Sequence, residues 1–140
     1  MYSSNQTALS CIVSTAYGKL RGIEYNAIRI FKGIPYGMDT GGQFRFKPPQ
    51  RPFCWVGIRD AIDYGASAIQ TPMRRNSLFN WLASQTEGAE DCLNLNVYAP
   101  TPDGEKLAVM VYLHGGAFSY GASSATILDG SSLAKQQNVV

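Results

Sequence analysis

The chain has 140 residues, 45% of them hydrophobic and 16% charged, and its 12 Lys and Arg against 10 Asp and Glu give a formal net charge of +2. This composition is typical of a soluble globular protein, and the weak, scattered positive charge excludes the basic surface that a nucleic-acid-binding protein needs. Because the N-terminal region has neither a basic start nor a long apolar run, we expect no secretory signal and no membrane partner, and we predict a cytoplasmic protein.

The first part of the chain predicts antiparallel strands after a loose N-terminus. Residues 1–10 are mostly polar, and we expect them to be disordered. In residues 11–31, short β-prone pieces are separated by Gly18 and Gly22, which suit turns. Residues 27–32 alternate apolar and polar side chains, as a half-buried antiparallel strand does.

Two irregular stretches follow, and a further strand comes after them. Residues 33–52 are rich in glycine and proline, which disfavours regular structure because proline fixes φ and has no backbone donor. Residues 71–88 are also irregular, although an apolar cluster around Trp81 would allow a short helix. Residues 93–98 alternate again and predict a strand that ends at Pro100.

The last part of the chain predicts a parallel βαβ crossover. Residues 107–113 are apolar throughout, which is typical of a strand buried on both faces in a sheet covered by helices. Ser131 or Ser132 could cap a helix that Asn138 would end, and residues 139–140 would begin another buried strand. A domain rarely stops at that point of a crossover, so we expect the chain to be a fragment.

The cysteines and the histidine give no metal site. Cys11, Cys54 and Cys92 lie far apart in the sequence and have no CxxC spacing, and His114 is the single histidine. A structural zinc site needs about four suitably spaced ligands. We therefore predict no metal and no cofactor, and we expect the three thiols to be reduced and mostly buried.

A glycine-containing segment directly after the predicted buried strand is the best candidate for chemistry. It reads His114-Gly115-Gly116-Ala117-Phe118. Acyl transfer from an ester passes through a tetrahedral oxyanion, which preorganised backbone N–H groups in a water-poor site stabilise. Glycines let the backbone approach a substrate oxygen closely. A Gly-Gly pair alone is more often a simple turn, but in this context the segment resembles the HGGG-type oxyanion loop of lipases and esterases.

Several motifs in the same order resemble the type-B carboxylesterases, the family of α/β-hydrolase fold that includes the cholinesterases. Residues 90–97 resemble its EDCLxLN signature, residues 31–36 its FxGIPY segment, residues 45–49 its RFxxP segment and residues 112–121 its oxyanion loop. The resemblance covers the chain from about Gly18 onward. It implies an α/β fold in which antiparallel N-terminal strands lead into a truncated parallel crossover, so that residues 1–140 form an incomplete N-terminal portion of a single α/β-hydrolase domain.

The resemblance also implies roles for the residues of the glycine-containing segment. Gly116 and Ala117 would be the oxyanion N–H donors, and Gly115 would shape the turn. His114 would be a structural residue beside the loop. The third donor of the family follows the nucleophilic serine.

Two further expectations come from the same resemblance. Arg45 and Glu90 would form a structural ion pair, although both could equally be solvated surface charges. In secreted relatives the cysteine of the EDCL motif forms a disulfide with a cysteine two residues before a glutamine. That position here is Ala68, so Cys92 would have no partner, which favours a reducing compartment.

The catalytic triad of such an enzyme has no match in the chain. No serine lies in a G-x-S-x-G elbow, and His114 is already assigned to the loop. The resemblance therefore implies a serine carboxylic ester hydrolase for small-molecule esters whose serine, acid and histidine follow residue 140, and a chain that is inactive alone. The alternative is a non-catalytic, cholinesterase-like adhesion or scaffolding domain, which the lost disulfide and the intact small residues of the loop disfavour.

Overall fold

The computed structural model of the protein describes residues 7–71, 80–101 and 106–140. The strands and the α-helix are β1 Leu9–Thr15, β2 Gly18–Tyr25, β3 Ile28–Pro35, β4 Ile58–Asp60, β5 Asn94–Pro100 and α1 Ser131–Gln137. Three single 3-10 turns cover Gly42–Phe44, Asn80–Leu82 and Thr126–Leu128. No helix within these described ranges is long and apolar enough to cross a membrane.

The strands form one mostly antiparallel sheet in the order β1-β2-β3-β5, and β4 lies parallel to the first half of β2. Ile23 of β2 faces Ile30 of β3, which in turn faces Tyr98 of β5. The pairing of β3 with β5 shifts register between Phe31 and Ile34, as at a β-bulge. The predicted strands of residues 27–32 and 93–98 are thus confirmed as β3 and β5. The prediction that regular structure is absent from residue 33 onward is wrong for residues 33–35, because β3 continues through Pro35 and pairs there with Asn94.

Side chains alternate between the two faces of the sheet, and each face has a small core. One face buries residues of β2, β3 and the position after β4, namely Leu20, Phe31 and Ala61. The other face buries residues of β3 beneath α1, namely Ile28, Ile30 and Ala134. This second cluster fixes the helix against the sheet.

The prediction that Gly22 forms a turn is wrong, because Gly22 lies inside β2. A Cβ at this position would lie 2.5 Å from Cδ1 of Phe31 and 2.4 Å from the carbonyl oxygen of Ile30. The glycine is therefore required by the aromatic ring that occupies its side-chain space. Gly18 begins the same strand with a φ of 144°, next to the turn after β1.

The N-terminal expectation is wrong at its end, since Leu9 and Ser10 already belong to β1. Pairing with β2, as in Leu9 with Glu24, orders these two residues. The rest of that expectation, for residues 1–6, lies outside the described residues, as do residues 72–79 of the second irregular stretch.

The prediction that residues 107–113 form a strand buried on both faces is wrong for this structure. The segment has no regular secondary structure, and Val109 to Leu113 are between 50% and 84% exposed. The amide of Val140 donates to the carbonyl of Ala108 at 2.9 Å, and the amide of Met110 donates to the carbonyl of Val140 at 2.7 Å. These two hydrogen bonds have the pattern of neighbouring parallel strands, but Val140 alone forms them. The described residues do not cover residues 107–113.

The predicted helix is confirmed, with a correction at its start. Gly130 is the N-cap, and no serine side chain caps the helix. Instead, the carboxylate of Asp129 accepts a hydrogen bond from the amide of Ser131 at 2.9 Å. Asn138 ends the helix as predicted, in the left-handed conformation with a φ of 51°.

Candidate active site

The glycine loop, residues 114–121, reverses the chain after the exposed apolar segment. The amides of Ser119 and Tyr120 both donate to the carbonyl oxygen of Gly116, at 2.9 and 3.2 Å. Ala117 and Phe118 have φ values of 52° and 58°. Positive φ in non-glycine residues costs about 1–3 kcal/mol each, and such residues concentrate at active sites and ligand clamps.

Five consecutive backbone amides of this loop, those of residues 114–118, donate no hydrogen bond within the described residues, and the two predicted donors are among them. Within the described parts of the chain, the N–H groups of Gly116 and Ala117 donate to no protein atom. Both residues lie in a turn and outside helix and sheet. Adjacent, unpaired N–H groups on a fixed turn can bind an anionic oxygen.

The loop is open to solvent on the side of its tip. Ala117 is exposed, and Phe118 is 113% exposed. The two amides predicted as donors therefore lie on an exposed turn that the described residues do not enclose in a water-poor pocket, and their role as oxyanion donors stays a prediction.

Two glycines are sterically required by the loop. A Cβ at Gly116 would lie 1.7 Å from the carbonyl oxygen of Tyr120, and φ there is +135°. A Cβ at Gly121 would lie 2.5 Å from the carbonyl oxygen of Gly115, and φ there is +99°. A Cβ at Gly115 would meet nothing within 4 Å, so the steric need for glycine lies at Gly116 and Gly121 and not at Gly115, which we expected to shape the turn.

His114 is the first residue of the loop and lies next to Gly121, its last residue. Its Nδ1 is 2.9 Å from the carbonyl oxygen of Gly115. The ring also borders Gly121, whose missing Cβ would lie 3.1 Å from Nδ1. These contacts are local to the loop, and the structural role expected for His114 stays a prediction.

Arg45 and Glu90 form the predicted ion pair. The guanidinium pairs through two nitrogens, Nε with Oε1 and Nη2 with Oε2, the second at 2.8 Å. The hydrogen bond from Arg45 holds the pKa of the Glu90 carboxyl below its ordinary value, and the same contact raises the pKa of Arg45. The backbone carbonyl of Glu90 also accepts a hydrogen bond from the hydroxyl of Thr40 at 2.6 Å.

The two asparagines of the EDCLNLN segment connect β5 to two loops and to the irregular part of β3. Asn94 donates to the carbonyl of Ala66 at 2.9 Å. Asn96 accepts from the amide of Gly33 at 3.1 Å and donates to the carbonyl of Ser123 at 3.2 Å. Residues two apart on a strand share a face, so the Asn-x-Asn spacing could have predicted that both side chains lie on the same side of β5.

Gln70 is the residue that sequence reasoning missed most clearly. Its Oε1 accepts from the amide of Gly121 at 2.8 Å, and its Nε2 donates to the carbonyl of Gly121 at 3.0 Å. The same Nε2 donates to the carbonyl of Ala68 at 3.0 Å. Gln70 lies 51 residues from the loop in an irregular stretch, so no local sequence pattern indicates this contact.

None of the three cysteines forms a disulfide within the chain. Cys92 is partly buried, and burial raises the pKa of its thiol. Cys54 is exposed, so the expectation of mostly buried thiols is wrong there. Its Sγ is 4.0 Å from the carbonyl oxygen of Ala16.

Comparison with known proteins places these features in a family. Residues 10–140 match the carboxylesterase family. The chain is 43% identical over 129 residues to the para-nitrobenzyl esterase of Bacillus subtilis (strain 168), covering 92% of this chain and 26% of that protein. It is 32% identical over 149 residues to the cholinesterase of Mus musculus, covering 99% of this chain and 24% of that protein.

Further relatives agree with this match. The chain is 37% identical over 153 residues to a medium-chain fatty acyl-CoA hydrolase precursor of Anas platyrhynchos, covering 100% of this chain and 27% of that protein. A solved thermophilic PNB esterase superposes with a TM-score of 0.81 at 42% identity, over 91% of this chain and 26% of that chain. The chain thus spans about a quarter of the length of the relatives it matches.

Proposed function

This chain belongs to the carboxylesterase family, and we propose that it provides the oxyanion-binding loop of a serine carboxylic ester hydrolase. The observation that carries the proposal is that the adjacent amides of Gly116 and Ala117, in a run of five loop amides without a partner among the described residues, lie on a turn whose first residue must be glycine. The sheet, the helix and the contact of Val140 with the exposed segment support an α/β-hydrolase fold for the whole unit.

The two amides would act when the ester carbonyl becomes tetrahedral. As the nucleophile adds, negative charge moves onto the carbonyl oxygen, and N–H donors already aimed at that position stabilise it without reorganisation. Each such donor contributes about 3–4 kcal/mol to the transition state in a serine hydrolase. The same donors would stabilise the second tetrahedral intermediate, when water releases the acid from the acyl-serine.

We propose that the nucleophilic serine, the acid and the base come from parts of the protein outside these 140 residues. Ser67 donates to the carbonyls of Thr86 and Glu87, and Ser124 is 2% exposed, so neither hydroxyl is placed for attack. The single histidine, His114, begins the glycine loop and contacts the carbonyl oxygen of Gly115 through Nδ1. We therefore expect the chain alone to form no acyl-enzyme.

The lack of a disulfide between the three cysteines supports a reducing compartment as the site of action. Cys92 forms no disulfide within the chain, and the carbonyl of Ala68, the position that carries a cysteine in secreted relatives, accepts a hydrogen bond from the side chain of Gln70. Disulfides persist in oxidising compartments and are rare in the cytosol. We propose a cytoplasmic location on this ground.

The experiment compares the 140-residue chain with the full-length protein, meaning the longer protein that we propose carries it. Purified full-length protein is expected to hydrolyse p-nitrophenyl acetate and to be labelled at one serine by a fluorophosphonate, whereas the 140-residue chain does neither. A folded full-length protein that takes no label would refute the enzyme and favour the adhesion or scaffolding alternative. Turnover by the chain alone would refute the division of the site.

A further inference from the structure

We propose that Gln70 is a positioning residue for the oxyanion donors, acting as a two-point clasp on Gly121 at the end of the glycine loop. The inference rests on the proposed function, because it assigns to Gln70 the placement of the amides of Gly116 and Ala117. No reacting atom touches Gln70 in this account.

The clasp uses both polar atoms of one side-chain amide. Oε1 of Gln70 accepts from the amide of Gly121 at 2.8 Å while Nε2 donates to the carbonyl of the same residue at 3.0 Å. The second hydrogen of Nε2 goes to the carbonyl of Ala68 at 3.0 Å. Both N–H groups and the oxygen of the Gln70 side-chain amide are used, so this side chain has a single orientation. It bonds both backbone polar groups of buried Gly121, as the backbone of a neighbouring strand would.

Gln70 is itself held on a fixed base. The segment before it pairs with residues 87–89: the amide of Ser67 donates to the carbonyl of Glu87 at 3.2 Å, and the amide of Ala89 donates to the carbonyl of Ser67 at 2.9 Å. Asn94 of β5 donates to the carbonyl of Ala66 at 2.9 Å. The clasp therefore connects the glycine loop to the sheet through three consecutive residues, 66–68.

A displacement at Gly121 would reach the oxyanion donors because the loop has little freedom between them. The space of a Cβ at Gly121 is occupied by the carbonyl oxygen of Gly115, 2.5 Å away, and by the ring of His114. The carbonyl of Gly116 accepts hydrogen bonds from the amides of Ser119 and Tyr120, three and four residues later in the same loop. A shift of Gly121 should therefore also move Gly115 and the turn that begins at Gly116.

The consequence for the reaction falls on the chemical step. A neutral ester carbonyl gains little from two well-placed N–H donors, whereas the oxyanion depends on them. Misplacement of a catalytic group by about 1 Å can cost about 100-fold in rate. Loss of the clasp should therefore lower kcat by about 10- to 100-fold and leave KM within about twofold of wild type.

The experiment replaces Gln70 by methionine in the full-length protein. Q70M keeps the length of the side chain and removes all three hydrogen bonds. The matched control is Q85M, since Gln85 is exposed and its side chain makes one hydrogen bond, to the hydroxyl of Thr126 at 3.0 Å. We expect kcat for p-nitrophenyl acetate to fall at least about tenfold in Q70M and to stay within about twofold in Q85M, with KM little changed in both. A kcat of Q70M within twofold of wild type overturns the inference.

A second variant and a second readout keep the test decisive. Q70N retains the side-chain amide but is one methylene too short for the two-point contact, so it should also lower kcat. It provides the test if Q70M fails to fold. Hydrogen exchange at the amide of Gly121 should be faster in both variants and unchanged in Q85M, because the bond to Oε1 protects that amide. Unchanged exchange in an active protein overturns the inference alone, whereas a folded wild type without activity overturns the proposed function.

Discussion

Replacing Gly116 by alanine tests the shape of the glycine loop with a single methyl group. The added Cβ would lie 1.7 Å from the carbonyl oxygen of Tyr120, where real Cβ contacts are essentially never under 3.0 Å. The two atoms must therefore separate by roughly 1.3 Å more, and the backbone has a φ of +135° that L side chains rarely adopt. The hydrogen bonds of Ser119 and Tyr120 to the carbonyl of Gly116 oppose a purely local adjustment.

This displacement has the size at which oxyanion stabilisation is lost. A shift of about 1 Å in a catalytic group can cost about 100-fold, and loss of one donor costs about 100- to 1000-fold in kcat. We therefore expect kcat of G116A to fall by about 100- to 1000-fold, which corresponds to about 3–4 kcal/mol of transition-state stabilisation. The strained φ should also lower the free energy of unfolding by about 1–3 kcal/mol.

The assay is the initial rate of p-nitrophenyl acetate hydrolysis by the full-length protein, with thermal unfolding followed in parallel. The matched control is G115A, because a Cβ at Gly115 meets nothing within 4 Å. G115A should retain kcat within a few-fold of wild type. Equal losses in G115A and G116A, or a G116A with nearly wild-type kcat, would refute the steric reasoning.

Three further predictions concern stability and reactivity. Because Arg45 lowers the pKa of Glu90, the pair stabilises the folded state above the ordinary carboxyl value of 4.5, and this stabilisation is lost as the pH falls through the lowered value. Melting temperatures across pH 3–6 should show R45M less stable than wild type near pH 6 and the difference shrinking at acid pH; a constant difference would contradict this. G22A should lower the free energy of unfolding by about 1–3 kcal/mol in a denaturant titration, because its methyl overlaps the aromatic ring on the neighbouring strand. In the native protein, iodoacetamide should modify exposed Cys54 well before Cys92, whose thiol is partly buried and has a raised pKa; mass spectrometry of the peptides would show the reverse order if this is wrong.

The sequence predicted the parts of the fold that local pattern determines. Alternation identified β3 and β5, and the serines at 131 and 132 together with Asn138 located the helix. Gly22 was misread because a glycine in a turn and a glycine beneath an aromatic ring look alike until the register with β3 is known. Residues 107–113 were misread because an apolar run reports only what a segment can bury, whereas burial needs covering elements that the described residues do not supply.

The same division holds for the candidate site. The Arg45–Glu90 pair and the small residues of the loop could be predicted from motifs, because each lies inside a short recognisable segment. The clasp of Gln70 on Gly121 could not, because it joins positions 51 residues apart through a side chain in an irregular stretch. The steric need for glycine at Gly121 could not be predicted either, because it arises from contact with the carbonyl of Gly115 near the other end of the loop.

The most direct test of the oxyanion assignment is a crystal structure of the full-length protein inhibited by a phosphonate, whose phosphoryl oxygen imitates the oxyanion. We predict that this oxygen lies about 2.7–3.1 Å from the backbone nitrogens of both Gly116 and Ala117. A phosphoryl oxygen bound by other donors, with these two amides directed elsewhere, would contradict it.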